Sequence, residues 1–398
     1  MPKFILVWCT SNLVHHFFGG ERILFRGKDY IAVVNFLATK IEVSIAEQVV
    51  NDNIKVVACG VSDYAGFIDG EFLEPENLFD AINTAFVDAQ SVVSKKIDSI
   101  YIGVPAEFCN YALKNLKANY SSKVVIKQRH IDDLFEGLSD DSFDSDYTII
   151  SKSPLYYVLD DGVQTIDPID NFSKNLGVKA SFVLADNRFI EIITDIINQM
   201  RLKDVSFVPI PLAVNSVLLS DAERQNGAII VDFGYVSTCV TSCVGEGLVD
   251  MKTFGVGDGH IMADLAEVLK LDYFTVDELK KQLILTLEPN QLDNYELNVG
   301  ANIYRVSTHQ ANDVVLARLD SIAEIINKIL LSFQYKQDRS VPIYLTGSGI
   351  TYIKGAKNYL SKILNRKCVI LAPKQVEYST PSLAEKFSLI KFVFDSLR

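Results

Sequence analysis

Val231-Asp232-Phe233-Gly234-Tyr235-Val236 reads as a buried strand that leaves on an acidic residue and turns through a glycine. The same outline stands far upstream, at Val34-Asn35-Phe36-Leu37-Ala38-Thr39. Each copy opens a three-strand meander. The first runs Ile31 to Phe36, then Ile41-Glu42-Val43-Ser44-Ile45 in strict alternation, then Ile54 to Cys59; the second runs Ala228 to Asp232, Ser237 to Cys243, the turn Gly245-Glu246-Gly247, and Leu248 to Phe254. A pattern that recurs in this way marks a duplicated chain, in which each half offers a hairpin tip to a shared cleft.

Around these meanders the chain alternates between helix and strand. Helical periodicity covers Leu78 to Val93 and Asn187 to Met200, with strands at Ile97 to Val104 and Val205 to Val208 and a further helix from Pro211. Between Pro105 and about Gly177, β-like runs and the acidic loop Asp140 to Asp146 read as an inserted module. In the second half, Thr275 with Glu278 has the spacing of a capping box. Val315, Leu319, Ile322, Ile326, Ile329 and Phe333 mark a long amphipathic helix, which leads to the strand Ile343 to Thr346 and the turn Gly347-Ser348-Gly349. A last helix runs from Ser382 to the end. The first 29 residues mix aromatic and basic side chains without a period and receive no role.

A length of 398 residues with 48% hydrophobic residues suits two well-filled cores. The net charge of -12 repels a phosphate backbone, so nucleic acid is not an expected partner. The cysteines lack metal-ligand spacing, and Cys239 and Cys243, on one face of a strand, read as small buried hydrophobes. No apolar run has the roughly 20 residues that a membrane-spanning helix needs. A cytoplasmic location follows as the expectation.

The chemistry points to the glycine turns. A hairpin tip with glycine lets backbone N–H groups approach phosphate oxygens, and a neighbouring carboxylate can hold Mg²⁺ through water. Asp232, Gly234, Ser237 and Thr238 supply these parts. Gly347, Ser348 and Gly349 end a strand where backbone can pass close to a flat base. Gly257 and Gly259 precede a helix start, an anion-friendly position, and His260 there reads as a capping or packing residue. Glu278, Lys280 and Lys281 read as a solvated helix face.

Three glycine turns at strand ends, in that order in a duplicated chain, resemble the actin, sugar-kinase and heat-shock ATPase superfamily. Gly60-Val61-Ser62-Asp63-Tyr64-Ala65-Gly66-Phe67-Ile68-Asp69-Gly70 and Ile100 to Pro105 resemble, more narrowly, the first domain of the bacterial cell-division FtsA family. So do Ser181 to Leu219, Gly257 to Ile261 and Ile343 to Gly349.

The resemblance implies an α/β fold of duplicated, actin-like, ribonuclease-H-type domains around a nucleotide cleft, with an FtsA-type inserted subdomain. Its implied boundaries are an arm at 1–29, a first domain at 30–93 and 180–225, an insert at 94–179, a second domain at 226–377 whose outer subdomain is 261–342, and a C-terminal helix at 378–398 that returns to the first domain. It further implies ATP or ADP with Mg²⁺ as ligand. Asp232, Gly234, Ser237 and Thr238 would form the second phosphate loop, with Asp232 as the metal-facing group. Gly257 and Gly259 would form a further nucleotide-binding stretch, and Gly347, Ser348 and Gly349 the adenosine loop. Glu278 with Lys281 would face the ribose, and Thr39 and Lys40 keep the pattern of the first phosphate loop.

Three positions depart from the family pattern. Asn35 stands for an Asp, Leu37 for a Gly, and Ile210 for the acidic residue that helps position water. The implied function is therefore a division scaffold with impaired hydrolysis and no assigned catalytic residue. Its implied partners are FtsZ or other division proteins and further copies of itself, with a peripheral contact at the inner face of the membrane at the division site. Family members usually carry a C-terminal amphipathic helix beyond the core, and this chain ends at Arg398 in what reads as the last core helix, so lipid binding by this chain alone is expected to be weak, with any remaining affinity from the aromatic and basic N-terminal arm. A working ATPase or small-molecule kinase of the same superfold, or a pilus- or filament-associated scaffold, remains open at this point.

Overall fold

Two five-stranded sheets repeat one strand order in the computed structural model, which describes residues 7–8, 30–137, 143–160, 162–285, 293–300, 302–335 and 338–397. In the first sheet the meander Tyr30–Phe36, Lys40–Gln48 and Ile54–Asp63 is extended on the Tyr30–Phe36 side by Ser99–Val104 and then Asp204–Pro209, both joined in parallel. In the other sheet the meander Ala228–Phe233, Thr238–Val244 and Gly247–Phe254 is extended in the same way by Ile343–Gly347 and Cys368–Ile370, again in parallel. The recurrence in the sequence is thus a recurrence of topology.

The chain forms two compact units. The first is Met1–Gly227, Cys243–Met251 and Glu385–Arg398; the second is Ala228–Ser242 and Lys252–Ala384. In the first unit the inner strand Tyr30–Phe36 is buried along nearly its whole length, as a strand covered on both faces must be. The helix Leu78–Val92 buries Leu78, Ala81, Ile82, Ala85 and Ala89. It lies so close to the sheet that a Cβ on Gly60 would come within 1.9 Å of the Ala85 carbonyl oxygen. The last helix, Ala384–Ser396, sets Leu389 against Gly103 and pairs Lys386 with Glu42 at 2.9 Å.

The insert has its own antiparallel sheet, with Phe172–Asp186 between Cys109–Val125 and Tyr147–Val158. Helix Gln128–Glu136 contributes Ile131, Leu134 and Phe135 to a core shared with Ile126, Tyr157 and Phe182. The boundaries expected for this module, 94–179, move. Ser99–Val104 belongs to the first sheet, where it lies between Tyr30–Phe36 and Asp204–Pro209, and the separate sheet takes its strands from Cys109 to Asp186 together with Val7–Trp8, which pairs in parallel with Tyr147–Val158. Ser99–Val104 is a short apolar strand buried over most of its length, which an inner position in a parallel sheet requires. Apart from Val7–Trp8, the arm at 1–29 lies outside the described residues, as does part of the acidic loop.

In the second unit the helix Thr308–Ser332 buries Val315, Leu319, Ile322 and Ile326, the face its period predicts. The helix Tyr273–Gln282 starts earlier than Thr275. Asp272 caps it, accepting from the Thr275 N–H at 3.0 Å and from its hydroxyl at 2.7 Å, so Thr275 serves as the donor and not as the cap. Among the described residues no helix is long and apolar enough to cross a membrane.

Candidate functional site

The strands Ala228–Phe233 and Ile343–Gly347 run parallel in the register Asp232 to Thr346 and Phe233 to Gly347. Both glycine turns therefore leave the second unit's sheet at the carboxyl ends of adjacent parallel strands, the edge at which open α/β sheets place ligands. Gly234 closes the hairpin by donating to the Ser237 carbonyl at 2.9 Å. Gly347 and Gly349 take φ of +88° and +82°, the left-handed region that side chains avoid. A Cβ on Gly347 would lie 2.4 Å from the Asp232 Oδ1 and from the Phe233 carbonyl oxygen; one on Gly349 would lie 2.1 Å from the Asp258 Cγ. These glycines are required by the protein's own packing before any ligand is considered.

The helix Asp258–Leu269 begins against the same hairpin tip. Its first N–H groups are engaged: Asp258 donates to the Gly234 carbonyl at 3.0 Å, Gly259 to that of Tyr235 at 2.8 Å, and His260 to that of Gly257 at 3.1 Å. His260 Nδ1 accepts from the Gly257 N–H at 3.1 Å, which is the capping role its position suggests. Gly257 leaves no room for a side chain, since a Cβ would stand 2.5 Å from the Gly234 carbonyl oxygen, and the Tyr235 ring lies over Gly259. Burial raises the Tyr235 hydroxyl pKa, with Asp258, Tyr273 and Asp277 adding to the effect.

The structure gathers Asp232, Gly234, Ser237, Thr238, Gly257, Gly259, Gly347, Ser348 and Gly349 in the second unit. Their roles there differ. The Thr238 hydroxyl donates to the Val256 carbonyl at 2.6 Å, and the Ser348 carbonyl accepts from the Ile350 N–H at 3.1 Å. Glu278 and Lys281 do not join the site. They pair with each other at 2.7 Å on the exposed side of their helix, where Asp277 also reaches Lys281 at 2.8 Å. Hydrogen bonds that the Lys281 ammonium donates to Asp277 and Glu278 push its pKa up. The inward lysine is its neighbour Lys280, paired with Asp258.

Sequence reasoning missed Asp258 and Lys280 as partners. The signal was present in the buried positions Val276, Leu279 and Leu283, because a helix that buries these turns residue 280 inward more than 281.

In the first unit, Thr39 and Lys40 are exposed at the first hairpin tip, where the Leu37 N–H donates to the Lys40 carbonyl at 2.9 Å. The stretch Tyr64–Gly70 backs this tip. The Tyr64 N–H donates to the Thr39 carbonyl at 3.0 Å, and Gly66, at φ +87°, would put a Cβ 2.1 Å from the Ala38 carbonyl oxygen. Behind it Phe36, Phe72, Phe108 and Phe189 form one aromatic cluster, with centroids from 4.7 Å (Phe108 to Phe189) to 5.8 Å (Phe36 to Phe72). Asn35 is buried, and its Oδ1 has no hydrogen-bond partner among the described residues. Ile210 is core: it packs beside Gly103, where it does apolar work.

At Gly234 and at the start of the helix Asp258–Leu269 the second unit keeps no backbone donor for Mg²⁺-polyphosphate. Gly234, Gly257, Asp258, Gly259 and His260 all spend their N–H groups on protein acceptors. Among the described residues no group of three or more His, Cys, Asp or Glu could hold a metal ion.

No protein-family model matches the chain. The cell-division protein FtsA of Bacillus subtilis (strain 168) is 21% identical over 359 residues, covering 89% of this chain and 81% of that protein. FtsA is what the chain resembles. The FtsA of Streptococcus pneumoniae serotype 2 (strain D39 / NCTC 7466) is likewise 21% identical over 359 residues, covering 89% of this chain and 78% of its own length. Solved structures extend this likeness to FtsA at the level of the fold. A chain of the PilM-PilN type IV pilus biogenesis complex superposes with a TM-score of 0.59 at 12% identity, covering 92% of this chain and 98% of that one. MreB 5 of Spiroplasma citri bound to AMPPNP gives 0.56 at 10% identity, covering 92% and 96%. The fold of this FtsA-like chain is actin-like.

Proposed function

We propose that the chain is an actin-like cell-division scaffold of the FtsA type, which self-associates and recruits division proteins such as FtsZ. One observation carries this reading: similarity to FtsA that runs through 89% of the chain. The insert, with a sheet and core of its own, offers a surface for filament or partner contacts without disturbing the duplicated sheets. The cytoplasmic face of the membrane at the division site is the place such a scaffold would act.

Nucleotide, in this reading, is a weak or structural ligand of the second unit and not a fuel. An active ATPase or kinase would need donors free to meet phosphate as charge develops. Gly234 at the tip and the first N–H groups of the helix Asp258–Leu269 have committed theirs to the protein. Asn35 brings no carboxylate, and Ile210 brings no proton acceptor. The likeness to a pilus-complex chain is one of fold, and the sequence relatives favour division.

Sedimentation tests the scaffold. The full chain should enter larger species as its concentration rises, and should pellet with polymerised FtsZ from its own organism. A chain that stays monomeric at high micromolar concentration, with nucleotide and lipid present, and that ignores FtsZ polymers would overturn the reading.

A further inference from the structure

Asp258 lies between the two glycines of the helix start and is buried, with 3% of its surface exposed. Its Oδ2 accepts from the Lys280 ammonium. Its Oδ1 has no hydrogen-bond partner among the described residues, and it faces the place that a Cβ on Gly349 would occupy, 2.3 Å away. A buried carboxylate oxygen without a donor is costly, about 1–3 kcal/mol or more, so the site is completed by something that donates. We propose that Asp258 and Lys280 set the ligand class of this site: it binds the uncharged, hydroxyl- and amine-bearing part of a ribonucleoside, and phosphate groups add no affinity. The inference rests on the reading of the second unit as a nucleotide site and narrows it.

Electrostatics and hydrogen bonding agree. A helix start attracts phosphate through free N–H groups and the positive end of its dipole. Here the N–H groups of Asp258, Gly259 and His260 are bonded to carbonyl oxygens, and the carboxylate of Asp258 already occupies the first turn. Lys280 is the cation a phosphate would seek, but a carboxylate holds it with only 16% of the lysine side chain exposed. An incoming polyphosphate would meet a neutralised lysine and an acceptor that repels it. A ribose hydroxyl or an exocyclic amine offers that acceptor the donor it lacks, and the half-exposed Tyr235 ring beside Gly259 offers an apolar face.

Calorimetric titration of the full chain with adenosine, ADP and Mg·ATP reads the inference directly. The three ligands should bind the unmodified chain within about threefold of one another. Asp258→Asn keeps the shape, removes the charge and releases Lys280, and it should tighten ADP and Mg·ATP relative to adenosine by about tenfold, equivalent to about 1.4 kcal/mol. Lys280→Gln leaves the carboxylate uncompensated and should weaken ADP several-fold relative to adenosine, which keeps the test alive if Asp258→Asn is poorly folded. Tighter binding of ADP or Mg·ATP than of adenosine by an order of magnitude, in the same ratio in the unmodified chain and both variants, defeats the inference and leaves the nucleotide site standing. Absence of heat with all three ligands, in folded protein of every form, removes the site and the inference together.

Discussion

The Asp258 carboxylate and the Lys280 ammonium form an ion pair inside the second unit, with side-chain exposures of 4% and 16%. Asp258 opens one helix and Lys280 closes another, so the pair ties the two helix ends together beside the Gly347–Gly349 turn.

Lys280→Met should therefore be far more damaging than Lys281→Met. Removing one partner of a buried pair strands the other charge and typically costs about 3–5 kcal/mol. Lys281 pairs at the surface, and its loss should leave the urea midpoint unchanged. Equal midpoints for the two variants would place the wrong lysine inside.

Gly349→Ala should destabilise the second unit by about 1–3 kcal/mol, through positive φ and the collision with Asp258. Combining it with Asp258→Ala removes the colliding carboxylate but not the backbone strain. A double-mutant cycle in urea should show the combined loss to be smaller than the sum. Strict additivity would mean that the two residues do not touch.

The insert should loosen as pH rises toward neutrality. Burial raises the Asp132 pKa from 3.8 to about 6, against the opposing hydrogen bond from the Gln128 side chain at 2.9 Å. A carboxyl whose folded pKa is raised stabilises below its unfolded pKa, and the contribution is lost as pH climbs through about 6. Asp132→Asn should flatten the melting temperature between pH 4 and 7, where the unmodified chain declines. Parallel pH profiles for the two proteins would show that Asp132 does not carry the dependence.

Phe189→Ala should cost about 3–5 kcal/mol, because the ring touches Phe36, Phe72 and Phe108 at the centre of the first unit's aromatic cluster. It should also expose the segment around Tyr64–Gly70 to proteolysis, since that segment is held between the cluster and the first hairpin tip. Protection equal to that of the unmodified chain would separate the cluster from the tip.

Phosphate release from ATP should stay at background, and Asn35→Asp with Leu37→Gly should not restore it, because the helix-start donors of the second unit remain engaged and Ile210 still brings no proton acceptor. Loss of a positioned proton acceptor alone typically costs ~10² to 10⁴ in rate. Brisk hydrolysis by the unmodified chain, abolished by Asp232→Ala, contradicts the expectation.

The sequence by itself determined the duplication, because strand alternation and turn glycines are local signals: Val34–Thr39 and Val231–Val236 repeat one outline, and their sheets repeat one strand order. It also marked the buried face of Thr308–Ser332, since a helix period needs only its own residues. What required the fold was everything decided across loops. Glu278 and Lys281 share one helix face and find each other there, whereas Lys280 finds Asp258, 22 residues earlier, only once both helices have packed. Ser99–Val104 carries no mark in its own six residues of which sheet will take it; parallel pairing with a strand more than 60 positions upstream settles that. The tip glycines were legible as glycines, but not that Gly349 would be filled by a carboxylate and Gly257 by a neighbouring carbonyl. Local propensity fixes elements; close packing between distant segments decides which polar groups remain for a ligand.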